Sequence, residues 1–319
     1  MAAKFLYADI TGVTTPLSVD VIEGYKSFSR SCNITCVSTT LALGDAISVD
    51  LGYDDSHGVI FTGYVKKISK AAPDNTITLT CFDELIKASD YFMVSDDPTE
   101  PFTRANIDAA DLVGDLLAEA DITNYTPVTT TFSFTEPEFN LLSVADAIGQ
   151  IAGVIAYHIW ADETGEIFFA DRRPYIMGGD TPEWTFTTGS SGNIITNDYS
   201  RSDDDLRNRV VVYGNDPIAA EASTPSPYLP SGFFRTAVIA TPLITEQSMA
   251  DDSATFNLEL YNRLTRIVSC EALGDYRVHV NDIVTITEAH TGVSGDWFIY
   301  SMSHSWSDTG YTMRMVLRI

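Results

Sequence analysis

One passage of this chain is written twice. The first copy runs Gly44-Asp45-Ala46-Ile47-Ser48-Val49-Asp50-Leu51, then Gly58-Val59-Ile60-Phe61-Thr62-Gly63-Tyr64-Val65, then Thr76-Ile77-Thr78-Leu79-Thr80-Cys81. The second runs Asn281-Asp282-Ile283-Val284-Thr285-Ile286, then Gly295-Asp296-Trp297-Phe298-Ile299-Tyr300-Ser301-Met302, and after Gly310 closes with Tyr311-Thr312-Met313-Arg314-Met315-Val316-Leu317. Asp45 and Gly58 are as far apart as Asp282 and Gly295. Apolar or β-branched residues alternating with polar ones mark strands with one buried face, and Gly, Asp and Asn bound each run. Two copies of one β-module are expected, with Gly44, Asp45, Gly58, Gly63, Asn281, Asp282, Gly295 and Gly310 defining the repeat. Antiparallel meanders also alternate generically, so chance similarity is the competing reading.

A chain of 319 residues suffices for one large domain or two to three ordinary ones. Its 45% hydrophobic and 11% aromatic content belongs to a globular protein. The longest apolar stretch, about Gln150 to Trp160, is too short and too interrupted to span a bilayer as a helix. Asp9 arrives before any signal-peptide core forms, so folding in the cytoplasm is expected. Cys32 and Cys36 sit on one strand roughly 13 Å apart at strand rise, beyond disulfide reach, and the four cysteines read as buried free thiols. The net charge of −25, from 19 basic and 44 acidic residues without a basic tract, argues against specific nucleic-acid binding.

Residues 1–95 read as the first β-module and residues 96–200 as an inserted α+β domain opened by Asp96-Asp97-Pro98. In that domain Asn106 is expected to cap a helix carrying Ala109, Leu112, Val113, Leu116 and Leu117. Ser143 and Asp146 resemble a capping box ahead of a second helix that Gly153 ends, and Asp162 to Gly165 turn a hairpin. Residues 201–319 read as the second β-module, with a proline-rich excursion at 217–230 and a helix at about 248–264 with Asp251-Asp252 in its first turn.

Candidate chemistry is sparse. His57, His158, His279, His290 and His304 show no metal-ligand spacing, and nucleotide-binding glycine patterns are missing. The acidic runs Asp83-Glu84, Asp162-Glu163 and Asp203 to Asp205 leave a two-carboxylate glycosidase open, although turn chemistry explains most of them. Asp203 to Asp205 also lack the spaced loop of a calcium site. Trp297, Phe298, Tyr300 and Trp306 offer a sugar platform, with core packing favoured by their alternation.

Gly44-Asp45 through Phe61-Thr62-Gly63-Tyr64-Val65 to Asp83-Glu84-Leu85, together with His304, Gly310-Tyr311-Thr312 and Met315-Val316-Leu317, resembles the baseplate hub proteins of contractile-tailed bacteriophages, the late control protein D-like family. Two departures stand out: Asn281-Asp282 replaces Gly-Asp, and residues 217–230 match no motif. The resemblance implies a β-rich α+β chain with two tube-like antiparallel β-barrel modules around the inserted domain. It implies a non-enzymatic virion protein, assembled in the host cytoplasm, without catalytic residues, cofactor or metal. Its implied form is a homotrimeric ring with pseudo-sixfold symmetry that joins the sixfold tail tube to the threefold central spike and leaves a channel for DNA. Implied partners are the tail tube and central spike proteins, with tape-measure and baseplate wedge proteins as further candidates. The alternatives are a tail-tip glycan-binding or glycan-hydrolysing protein, or a distal tail protein of a non-contractile phage.

Overall fold

The computed structural model describes residues 5–319 except 74, 95–100, 190–191 and 264. The Asp96-Asp97-Pro98 break, the middle of Pro73-Asp74-Asn75 and Leu264 lie outside the described residues.

Six strands open the chain: β1 (Leu6–Ile10), β2 (Val13–Gly24), β3 (Ser31–Thr39), β4 (Ala46–Tyr53), β5 (Ser56–Ala71) and β6 (Thr76–Phe82). They pair in the order β1-β4-β5-β6-β3-β2, every ladder antiparallel. Alternation turns Val19, Val21, Ile34, Ile47, Val49, Leu51 and Leu79 inward onto Phe61. Each such burial is worth roughly 1.5–3 kcal/mol. Cys32 faces Cys81 across β3 and β6, and all four cysteines are free and buried.

Next come the short helix α1 (Ile86–Asp90) and six two-residue strands: β7 (Phe92–Met93), β8 (Phe102–Thr103), β9 (Ile107–Asp108), β10 (Ser133–Phe134), β11 (Glu138–Phe139) and β12 (Leu142–Ser143). They pair as nested hairpins, β7 with β12, β8 with β11 and β9 with β10, enclosing helix α2 (Ala109–Glu119). Helix α3 (Val144–Ile155) and the hairpin β13 (His158–Ala161) and β14 (Ile167–Ala170) follow. Then come β15 (Trp184–Thr187), β16 (Ile194–Ser202), β17 (Arg209–Tyr213), β18 (Ala219–Ser223), β19 (Thr236–Ala240) and α4 (Gln247–Tyr261). The chain closes with β20 (Thr265–Leu273), β21 (Ile283–Thr287), β22 (Ser294–Ser307) and β23 (Gly310–Arg318).

The second module pairs in the order β15-β21-β22-β23-β20-β16, which is the first module's order again. One ladder differs in sense: β15 runs parallel to β21, whereas β1 runs antiparallel to β4. The sheets are joined edge to edge by β2 and β22, Ser18–Gly24 against Ser301–Ser307. The fold is β-rich α+β with two similar antiparallel modules.

The repeated turn has a physical cause. Ala42-Leu43-Gly44-Asp45 and His279-Val280-Asn281-Asp282 are both turns closed by the fourth residue's amide on the first residue's carbonyl, at 3.3 and 3.4 Å. The third residue has φ +86° at Gly44 and +80° at Asn281, a region that glycine enters freely and asparagine better than other side chains. That accounts for asparagine in place of glycine. In both turns the aspartate carboxylate accepts the first residue's N–H, at 2.8 Å for Asp45 and 2.9 Å for Asp282. Gly44 and Asp45 then bond both sides of Val65, as Asn281 and Asp282 bond Ile299. Immediately beyond, each long strand carries a one-residue bulge, between Val65 and Lys67 and between Ile299 and Ser301.

The bulges correct part of the sequence alignment. Since Val65 corresponds to Ile299, Gly58 and Gly295 are not counterparts: Gly58 faces Leu51, whereas Gly295 faces Ile286. The connection from β21 to β22 is longer than that from β4 to β5, so the equal spacing was coincidental. Gly63 lies too close to the Phe82 carbonyl for a side chain, while nothing crowds Gly310.

The inserted unit also departs from expectation. Asp108, not Asn106, caps α2 by accepting the Ala110 N–H; Asn106 takes positive φ ahead of it. Ser143 caps α3 through the Asp146 N–H at 3.0 Å, but the helix passes Gly153 and ends at Ala156. Helix α4 begins at Gln247, one residue from the expected start. β15 and β16, expected inside residues 96–200, pair in the second module, whereas Val210, Val212, Ile244 and Met249 share one core with Leu112, Leu116 and Ile148. The α+β unit is thus assembled from two insertions, one before β15 and one between β16 and β20.

Candidate functional site

Where β2 meets the second module, the inward parity of Val19 and Val21 carries Glu23 into the interior. Its Oε2 lies 3.0 Å from Arg30 Nε, and its Oε1 accepts the Val280 N–H at 3.2 Å. His279 Nδ1 lies 3.8 Å from Oε1, an ionic contact too long for a hydrogen bond, and that nitrogen is buried without a hydrogen-bond partner. Arg30 also donates to the Ile60 carbonyl, and its N–H donates to Asp83, which accepts the Leu85 N–H as well. Glu163, in the turn between β13 and β14, reaches His279 Nε2 at 3.6 Å. Three parts of the fold, the two modules and the insertion, meet here around a cavity of about 250 Å³.

The charges follow their surroundings. Burial alone would raise the Glu23 carboxyl, but Arg30 and His279 overcome it and hold it at about 2. Burial pushes Asp83 and Asp282 up to about 6 against the amides that bond them. Burial pulls His279 down, yet Glu23 outweighs it and the ring stays above its ordinary value. Burial pushes His304 down to about 4. His304 is neutral, accepting the Tyr311 hydroxyl at Nδ1 (2.7 Å) and donating from Nε2 to the Val278 carbonyl (3.2 Å), a tautomer assigned from these partners.

Glu23, His279 and His304 bring three donor atoms within 4.8 Å of one another. Both His304 nitrogens are occupied and Arg30 already neutralises Glu23, so His304 has no lone pair left for a cation. His304 is fully buried. The missed signal was parity: Glu23 follows Val19 and Val21, and His304 lies between Met302 and Trp306, on inward positions where a polar residue needs a partner.

The other candidates resolve simply. Trp297, Phe298, Tyr300 and Trp306 are all buried and offer no sugar platform. Asp162 bonds the Thr164 and Glu166 amides of its own turn, Glu84 pairs with Lys87, and Asp203 pairs with Arg235.

The sheets also leave two edges open. Val21 lies in one cross-strand row with Cys32, Cys81 and Val65, and Tyr199 in the matching row with Val268, Leu317 and Ile299. β2 therefore corresponds to β16, and the far half of β22 to the far half of β5. β2 and the far half of β22 bond each other. Among the described residues, the far edges of β16 and of β5 beyond Val65 bond no strand.

The same architecture recurs in solved proteins. A tail protein from Neisseria meningitidis matches with TM-score 0.72 and 12% identity over 99% of this chain and 96% of that one. The 43 kDa tail protein of prophage MuSo2 from Shewanella oneidensis gives 0.70 and 13% over 99% and 97%. The chain has the fold of these phage tail proteins. The E. coli c3393 protein, a type VI secretion component described as similar to T4 tail proteins gp27 and gp5, shares this tail-protein fold with TM-score 0.59 and 9% identity over 98% and 76%. Residues 240–318, which hold all of α4 and β20 to β23, match the YQBQ-like family model. No curated protein sequence matches. Among the described residues, no helix is long and apolar enough to cross a membrane.

Proposed function

We propose that this chain is a non-enzymatic virion protein of the tail baseplate, assembled in the host cytoplasm as a homotrimeric hub. The observation that carries the reading is the contrast between the closed junction of β2 with β22 and the open edges of β16 and β5. Repeating that junction between chains sets β16 of one copy against β5 of the next, head to tail, and such contacts close into a ring. Val21 faces His304 within the chain, so Tyr199 faces Lys70 of the neighbouring copy. Three copies supply six modules, matching a sixfold tube on one side and a threefold spike on the other. The tail tube and central spike proteins are the partners, with tape-measure and wedge proteins beside them.

The open face of the joined sheets suits a channel wall. Ser301, Ser303, Ser305, Ser269 and Thr196 line it with Asp20, Asp198 and Glu271, beside the apolar Ile22 and Val316 and the cation Arg314. A wall whose charged side chains are mostly acidic lets DNA slide without adhering.

Lys70→Cys with Tyr199→Cys tests the ring. Oxidised double-variant chains should give a covalent trimer on a non-reducing gel, and each single variant none. A chain that stays monomeric, forms no cross-link and binds or cleaves cell-wall glycan would overturn the reading.

A further inference from the structure

A second cavity, of about 420 Å³, opens where the end of β23 meets the insertion. In a chain with 19 basic residues, four line it: Lys26, Arg207, Arg263 and Arg318, against the single acidic side chain of Asp205. Among the described residues, none of these four cations is in an ion pair, although the chain carries 44 acidic residues.

Two of them are held in fixed poses. The Arg263 guanidinium lies 3.7 Å over the Tyr175 ring, and that of Arg318 lies 3.6 Å over the Tyr300 ring. Stacking fixes the plane of each guanidinium; Arg263 Nε donates to the Glu259 carbonyl at 3.0 Å, and its two terminal nitrogens are left for an oxygen acid. Arg318 Nε is buried without a hydrogen-bond partner, a cost that a bound oxygen would relieve. Arg207 is anchored through Nη1 to the Asp204 and Leu206 carbonyls. Its charge is therefore not neutralised.

We propose that this cavity binds carboxylates presented by an acidic polypeptide segment. Unpaired guanidinium forks match carboxylate geometry, and the half-buried rings of Tyr25 and Tyr261 line the cavity beside them. A nucleic acid offers phosphates to the same forks, but a protein of net charge −25 repels a polyanionic backbone at long range, whereas a short acidic segment pays that repulsion only briefly. The site is independent of the ring reading, since one chain supplies every residue.

The test is fluorescence anisotropy of the full-length chain with labelled hexaglutamate, with hexaglutamine and a six-nucleotide oligothymidylate as comparison probes. Hexaglutamate should bind, hexaglutamine should not, and Arg263→Gln with Arg318→Gln should weaken binding at least about tenfold. Arg263→Lys and Arg318→Lys keep the charge without the fork and should fall between, which preserves the test if the glutamine variants fold poorly. Binding unchanged by these substitutions, or tighter binding of the oligothymidylate, would overturn the proposal. Sedimentation of the same variants identifies the source: self-association lost with peptide binding places the acidic segment on a second copy, and self-association retained places it on another protein.

Discussion

The turns at Ala42–Asp45 and His279–Asp282 share one backbone and occupy opposite surroundings. Leu43 is 66% exposed at the tip of the first. The second is packed into the junction, where His279 meets Glu23 and Glu163. One local code therefore serves two purposes: in the second module the turn holds the sheets together, and in the first it waits on the surface. The matching rows sharpen this, because Glu23 corresponds to Arg201 of β16. In the proposed ring, the acid-to-histidine contact inside the chain becomes an arginine beside Asp45 of the next copy, with Leu43 covered.

The largest expected effect lies in the buried turn's partner. Glu23→Ala leaves Arg30 buried and unpaired and should cost about 3–5 kcal/mol of unfolding free energy in urea titration. Asp45→Ala, in the exposed counterpart, should cost about 1 kcal/mol. Equal losses would mean that the two turns are not differentiated.

Next comes acidity. Asp83 and Asp282 hold protons up to about 6 in the folded chain against an ordinary 3.8. Between these values the native state binds more protons than the unfolded one, so each group adds stability as the pH falls through 6 towards 3.8. His304 and His158, pushed down to about 4 and about 3, refuse protons that the unfolded chain accepts below 6.5 and act in the opposite sense. The difference between wild type and Asp83→Asn isolates one group. Wild type should gain on the order of 2–3 kcal/mol relative to the variant between pH 7 and pH 4. A flat difference would remove the assignment.

Smaller effects test the shared backbone. A side chain at Gly44 meets nothing within 4 Å, so Gly44→Ala should cost only its conformational strain, about 1–2 kcal/mol. Asn281→Gly should stay within about 0.5 kcal/mol, because relief of the unpartnered buried amide offsets the added chain entropy. Leu43→Ser should leave the melting of the single chain within about 0.5 kcal/mol yet weaken trimer formation, read by mass photometry.

Much of this was legible in the sequence. Period-two alternation located the module strands, the Gly-Asp and Asn-Asp pairs marked the same turn, and Ser143 with Asp146 marked a helix start. What sequence could not show arose from distance along the chain. Glu23 and Val280 are 257 positions apart, and β16 reaches β20 only across the second insertion. Asn106 looked like a cap because cap chemistry does not say which of two nearby polar residues starts the helix; Asp108 does, holding both Ala110 and Thr130. Equal spacing misled because loop length and strand register vary independently.

The repeated bulge has a further consequence. A residue that cannot be matched across a ladder is pushed out of the sheet's rhythm, and here those residues are Lys66 and Tyr300. Lys66 takes hold of Asp90 at the end of α1, where the first insertion begins. Tyr300 stacks near Tyr25 and carries Arg318 against the second insertion's cavity. The same bulge, present in both modules, thus sets Lys66 and Tyr300 against the parts of the chain that build the α+β unit.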